Sequence, residues 1–191
     1  HGAAELGRGL QHGGQADVLG HSMGGKAAMI LALQDPDLVA HLVVADIAPV
    51  AYDHTQLHLI DAMQAVDLEN ISSRRDAEAA LLDLVPEAGV RAFLLQSLDL
   101  KGDRPRWAFN LDALRQEMPT IIGFPIVTGR FEGPTLFLTG AASPYVKPSD
   151  HKRIIEMFPM AEFAAIDGVG HWLHAEKPRE FEAEIRRFLQ S

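Results

Sequence analysis

The hexapeptide Gly20-His21-Ser22-Met23-Gly24-Gly25 constrains this chain more than any other feature. It lies between a short apolar run, Ala16 to Leu19, and a stretch of small apolar residues, Met23 to Leu33. The run reads as a buried strand closed by Gly20, and the stretch as a helix ended by Asp35-Pro36-Asp37. A G-x-S-x-G turn between strand and helix lifts its serine out of the carboxyl edge of a sheet on a strained backbone. Side chains in place of Gly20 and Gly24 are expected to collide with neighbouring backbone. The helix aims its N-terminus at any negative charge developing beside Ser22, and the Met23 backbone N–H is a donor for such an oxyanion. The bland alternative is a glycine-rich turn carrying a surface serine. The flanking elements and the partners below argue against it.

A serine hydroxyl needs a base before it can attack a carbonyl. Of nine histidines, His171 is the candidate. It stands in Gly168-Val169-Gly170-His171-Trp172, between a last strand, Phe163 to Ile166, and a last helix opened by Pro178. Glycines there let a loop deliver the imidazole, and the chain order Ser, acid, His is kept. His174 is the competitor and reads as packing or capping. His21 flanks the serine and is expected to point away from it, although a role in binding substrate stays open. Trp172, beside the base, is a second candidate for substrate contact. His12, His41, His54, His58 and His151 read as surface or strand-end residues.

The acid is the informative member. The loop after the strand Thr135 to Thr139 reads Gly140-Ala141-Ala142-Ser143-Pro144-Tyr145, without a carboxylate. Asp150 comes late and belongs to a helix start, where Ser149 can cap a helix running to Phe158. The preceding strand, His41 to Ile47, is β-branched and continuous like a buried parallel strand, and carries Asp46 near its carboxyl end. Asp46 is therefore assigned as the acid that fixes the tautomer of His171 and stabilises its imidazolium. The alternative is a structural aspartate bonding loop amides. Ser143 then faces His171 as an auxiliary hydrogen-bonding group.

These pieces fit an α/β architecture in which a mostly parallel sheet is flanked by helices, formed by residues 1–51 and 131–191. Residues 52–130 change character: several helical segments, no convincing β-rich run, punctuated by Pro86, Gly89, Gly102 and Pro105. This reads as an inserted helical cap. Phe93, Leu94, Trp107 and Phe109 within it are candidates for an acyl pocket, with packing inside the cap as the commoner fate of such residues. Ala3 to Gln11 reads as a short helix. The final helix places Phe181, Ile185, Phe188 and Leu189 on one face.

The formal net charge of −9 disfavours a nucleic-acid partner, since an acidic surface repels phosphate backbones. Absence of cysteine excludes disulfides and thiolate metal sites, and a cytoplasmic location is expected. No apolar run approaches the length of a membrane span. No metal or cofactor is expected.

The strings G-H-S-M-G-G-K (Gly20 to Lys26), D-I-A-P-V (Asp46 to Val50), S-P-Y-V (Ser143 to Val146) and G-H-W-L-H-A-E-K-P (Gly170 to Pro178) resemble the α/β-hydrolase superfamily. Within it they are similar to the YbfF-like small esterases. F-L-L-Q-S (Phe93 to Ser97) and W-A-F-N (Trp107 to Asn110) share the likeness, which runs over nearly the whole chain. The resemblance implies carboxyl-ester or acyl-thioester hydrolysis without a metal, a helical cap, and a catalytic acid at Asp46. It also implies about four strands and a His-Gly oxyanion loop ahead of the nucleophile strand. Only 15 residues precede Ala16, and His1-Gly2 is too near Ser22 to be that loop. The chain is accordingly read as a piece of a longer enzyme lacking its amino-terminal strands and second oxyanion donor. The alternative is a short form whose open edge is completed by self-association.

Two classes of function compete. The first is a Ser-His-Asp hydrolase working through an acyl-enzyme on small esters or thioesters, with C–C hydrolase, lactonase and perhydrolase as variants on the same fold. The second is a binding module that keeps the fold without activity.

Overall fold

A computed structural model describes residues 14–53 and 56–190. The expected helix Ala3 to Gln11, the His1-Gly2 pair, His12 and His54 lie outside them. The chain divides into two compact units. One holds the described residues through Ala51 together with those from Phe124 on; the other is Tyr52–Gly123.

The first unit is built on a parallel four-stranded sheet. Its strands are β1 (Ala16–His21), β2 (Val39–Ala45), β5 (Thr135–Gly140) and β6 (Ala161–Ile166), and they lie side by side in that order. β2 and β5 are buried almost throughout, as their runs of branched and aromatic residues require of strands covered on both faces. In register, Val43 pairs with Leu136 and Val44 with Phe137, so successive residues feed two different cores. On one face Val43, Leu136 and Leu138 join Ile166, Val169, Leu173 and Phe188. Phe181, Ile185 and Leu189 pack on this cluster from α8 (Pro178–Leu189), the face read from the sequence. On the other face Phe137 meets Phe158, at the end of α6 (His151–Met157), with ring centroids 5.8 Å apart. α1 (Met23–Gln34) buries Ala28, Met29, Ala32 and Leu33.

Two local expectations differ from what is observed. β2 ends at Ala45, not Ile47. Asp46 turns the chain with φ of 52°, a left-handed conformation that no continuing strand accepts. Ser149 does not cap α6. It lies inside a 3₁₀ turn, Pro148–Asp150, and the Asp150 carboxylate instead accepts the Lys147 backbone N–H at 2.9 Å. A four-residue helix, α7 (Leu173–Glu176), precedes α8.

The second unit contains α2 (Leu57–Ala65), α3 (Arg74–Leu81), α4 (Ala88–Leu95) and α5 (Leu111–Ile122). It is not wholly helical: a two-residue antiparallel pair, β3 (Leu98–Asp99) and β4 (Arg106–Trp107), bridges α4 and α5. Ser73 and Asp76 form a reciprocal cap at α3, and the Asn110 side chain caps α5 by accepting from Ala113 N–H at 3.0 Å. Each such cap answers backbone donors that a helix start leaves unpaired. Met63, Val66, Leu81, Val85, Leu94 and Leu95 are among the residues of its own apolar core. No described helix is long and apolar enough to cross a membrane.

Candidate active site

β1 and α1 meet at Ser22 with φ of 54° and ψ of −122°. The turn is tight for a reason that can be located. A methyl group on Gly20 would stand 2.2 Å from the Gly24 carbonyl oxygen, and one on Gly25 would stand 2.6 Å from Ile47 Cγ2. Nothing lies within 4 Å of a methyl on Gly24, so the close approach falls on Gly20 and Gly25 rather than on Gly20 and Gly24 as expected. α1 packs against the turn through Gly25, whereas Gly24 faces open space.

Ser22 occupies the N-cap position of α1, where a serine hydroxyl usually accepts a bond from the helix's first turn. Here the side chain makes no such bond. The Ser22 Oγ lies 3.0 Å from His171 Nε2. The helix start is Met23, whose N–H belongs to the first turn and has no intrahelical acceptor.

The strand ends bring the other groups to the same level. Ser22 N–H donates to Ala45 O at 3.0 Å and Asp46 N–H donates to Leu138 O at 2.9 Å, carrying the ladder one step past each strand. Two further bonds, Ala141 N–H to Ile166 O at 2.9 Å and Ala142 N–H to Val169 O at 3.0 Å, tie the loop after β5 to the loop after β6. Asp46 is fully buried. Its Oδ2 lies 2.7 Å from His171 Nδ1, and its Oδ1 accepts the Gly140 N–H at 3.1 Å. A carboxylate only accepts, so the Nδ1–H form of His171 is the one that serves both contacts: Nδ1 donates to Asp46 and Nε2 accepts from Ser22. Ser143 Oγ also donates to Asp46 Oδ2. Ser143 thus bonds the cluster, as expected of an auxiliary group, and it does so through the carboxylate, because Asp46 reaches across from β2 to the end of β5.

His21 does not point away from this cluster. Its Nε2 donates to the His171 backbone oxygen at 2.8 Å, and its ring centroid lies 4.7 Å from that of His171 and 4.5 Å from that of His174. Burial pushes the His21 imidazole down to about 4, with His171 nearby adding to the effect. Burial lowers His174 as well, and its ring packs between His21 and Phe181. Trp172 lies edge-on to His171 with centroids 5.4 Å apart. Tyr145 stacks on His171 with centroids 4.1 Å apart and ring planes 26° from parallel. Sequence reasoning did not single out Tyr145; its place two residues after Ser143 was the available signal.

The candidates in the inserted unit fall elsewhere. Leu94 is 4% exposed within that unit's core, against which Trp107 and Phe109 also pack. The Trp107 indole N–H donates to Met63 O at 2.9 Å. Phe93, at 41% exposed, is the one of the four outside that core. Among the described residues no group of three or more His, Asp or Glu side chains is arranged to hold a metal ion.

Residues 2–184 match the alpha/beta hydrolase family. The chain belongs to this family. Among alpha/beta hydrolases it is 44% identical over 179 residues to a mouse (Mus musculus) protein named sn-1-specific diacylglycerol lipase ABHD11, covering 90% of this chain and 58% of that protein. It is 38% identical over 177 residues to esterase YbfF of Escherichia coli, covering 92% and 67%. A solved structure described as a marine microorganism esterase superposes with a TM-score of 0.86 at 35% identity, covering 92% of this chain and 70% of that one. The chain therefore spans somewhat over half the length of the mouse relative, which it matches at 58%. The likeness bears out the resemblance and the fold read from the sequence.

Proposed function

We propose that this chain carries the catalytic centre of a serine esterase acting on small carboxyl esters or acyl thioesters, with Ser22 as nucleophile, His171 as base and Asp46 as orienting acid. One observation carries the reading: a serine hydroxyl left out of its helix cap and aligned, through one imidazole, with a fully buried carboxylate. Relatives named as esterases and lipases support it.

Ser22 Oγ attacks the acyl carbon as His171 Nε2 takes its proton. The Met23 N–H donates to the oxyanion of the tetrahedral intermediate, aided by the positive end of α1. Collapse expels the alcohol or thiol, to which His171 returns the proton, leaving an acyl-enzyme. Water, deprotonated by His171, then releases the acid. Asp46 holds the Nδ1–H tautomer and stabilises the imidazolium. Ser143 acts as an auxiliary by holding the carboxylate. A fluorophosphonate probe should label Ser22 in the full chain, and Ser22→Ala should lose the label and lower turnover of p-nitrophenyl butyrate by ~10⁴–10⁶. Retained label and turnover in Ser22→Ala would overturn the reading by placing the nucleophile elsewhere, and absence of both label and turnover in the parental chain would favour a binding module.

The inserted unit is assigned control of substrate size. Chain order supports this, since the insertion leaves the sheet a few residues after Asp46. Phe93→Ala should shift the preferred acyl length in a p-nitrophenyl ester series while Ser22 stays reactive. An unchanged profile would sink the assignment.

A further inference from the structure

The loop after β5 supplies two groups to the site, and the second is not a hydrogen-bonding group. Ser143 holds the Asp46 carboxylate. Two residues on, the Tyr145 N–H donates to Ser143 Oγ at 3.3 Å, and the Tyr145 ring lies flat on His171. Two other aromatic rings of described residues, His21 and Trp172, also contact that imidazole. His21 is tilted by 38° at 4.7 Å, Trp172 is edge-on at 70°, and of the three only Tyr145, at 26°, presents its face; His174 lies behind them, against His21 and Trp172.

We propose that Tyr145 is a positioning residue for the base: its ring face fixes the plane of His171 and stabilises the imidazolium formed when Ser22 gives up its proton. This rests on the reading of Ser22, His171 and Asp46 given above. The physical argument is one of difference between states. In the resting enzyme His171 is a neutral imidazole, which gains only dispersion from a stacked phenol ring. When Ser22 Oγ bonds to the acyl carbon, its proton passes to His171 Nε2 and the ring becomes a planar cation. An aromatic face within about 6 Å attracts a cation through its quadrupole, and the 4.1 Å stacking is well inside that range. The contact is therefore stronger in the transition state than in the ground state, which is the condition for accelerating chemistry rather than binding. The groups facing His171 do not work against it. Asp46 carries a compensating negative charge at Nδ1, Ser22 is neutral, and the buried His21 and His174 rings both disfavour protonation.

Rotation is the other half of the argument. The two ring nitrogens must reach Ser22 and Asp46 at once, at 3.0 and 2.7 Å. A flat ring against one face opposes tilting about the axis that joins them, a freedom the two hydrogen bonds alone do not remove.

The test compares Tyr145→Leu with Tyr145→Phe in the full chain, using p-nitrophenyl butyrate. Tyr145→Leu should lower kcat about tenfold, with KM changing less than about twofold. It should also move the acid limb of the kcat/KM profile to lower pH, because an imidazolium without its aromatic cover forms less readily. Tyr145→Phe keeps the face and should restore most of the loss and the position of the limb. If Tyr145→Leu does not fold, judged by thermal unfolding, Tyr145→Met is read in its place. Parental kcat with an unmoved acid limb would overturn the proposal. So would an effect confined to KM, which would make Tyr145 a substrate contact, or equal losses in Leu and Phe variants, which would assign the effect to the hydroxyl. Failure of the underlying reading shows separately, as turnover surviving Ser22→Ala.

Discussion

At the carboxyl edge of the sheet unit Asp46, His171, Ser22 and Ser143 bond one another through their side chains; in the inserted unit the buried side chains of Arg91 and Ser97 bond backbone. Asp46, His171, Ser22 and Ser143 form a chain of side-chain contacts between residues 97 to 149 positions apart. In the inserted unit, buried Arg91 donates to the Val85 and Pro86 carbonyls at 2.9 and 2.7 Å, Ser97 Oγ donates to Leu94 O, and the Trp107 indole donates to Met63 O. Both patterns satisfy groups that would be costly to bury alone, but they have different consequences. A side chain capping a carbonyl finishes a turn and leaves nothing to react. Side chains that satisfy one another across the sheet keep a hydroxyl, an imidazole and a carboxylate in proton-transfer order.

The comparison can be broken most severely at Asp46. Asp46→Asn should lower kcat by ~10⁴, because asparagine favours the wrong tautomer and cannot offset the imidazolium. Asp150→Asn, at a carboxylate that accepts the Lys147 backbone N–H, should leave kcat within about twofold. Equal losses, measured by steady-state kinetics on an aryl ester, would erase the distinction between the two carboxylates. A smaller effect is expected in the inserted unit. Leu81 is fully buried in its core, and Leu81→Ala should cost about 2–5 kcal/mol in urea unfolding. Fluorophosphonate labelling of Ser22 in the folded protein should persist. Loss of labelling with the fold intact would show that the two regions do not divide structure from chemistry as drawn.

The mildest test uses His21. Its folded-state value is about 4 against an ordinary 6.5. Between those pH values the unfolded chain takes up a proton that the folded chain refuses, so stability falls as pH falls through the window and this contribution levels off below about 4. The whole effect is at most about 3 kcal/mol. His21→Gln should flatten the difference between unfolding free energies at pH 7 and pH 4.5. An unchanged slope would place the buried imidazole elsewhere in the titration.

Much of this was legible in the sequence, for physical reasons. The strand-turn-helix around Ser22 is written locally in glycines and small residues. Asp46 followed from the lack of a carboxylate between Gly140 and Tyr145. What was not legible involves contacts that local patterns do not encode. Ile47 prolongs a β-branched run, so nothing local signals that Asp46 leaves the strand with a positive φ. Either Ser149 or Asp150 suits a helix start, and the choice is made by the 3₁₀ turn between Lys147 and His151. The ring contacts of Tyr145 and His21 with His171 join the end of β1 to two separate loops. Leu94 and Trp107 face their own unit's core, a choice an apolar stretch leaves open between packing and pocket.

The parallel sheet also dictates when the site can come into being. Parallel neighbours cannot be joined by a tight hairpin, so each contact of the proposed triad closes over a long stretch of chain, 149 positions for Ser22 and His171 and 125 for Asp46 and His171. Long-range closures come late and slowly in folding, since chain entropy is lost before any contact compensates for it. No subset of the strands holds the three groups together: β1 supplies Ser22, the end of β2 supplies Asp46, and the loop beyond β6 supplies His171. With Ser22 as the proposed nucleophile, its reactivity is expected to serve as a clock for the last stage of assembly. During refolding, helix content should recover well before the fluorophosphonate signal, and the interval between them measures the time the chain takes to bring its carboxyl-terminal quarter home.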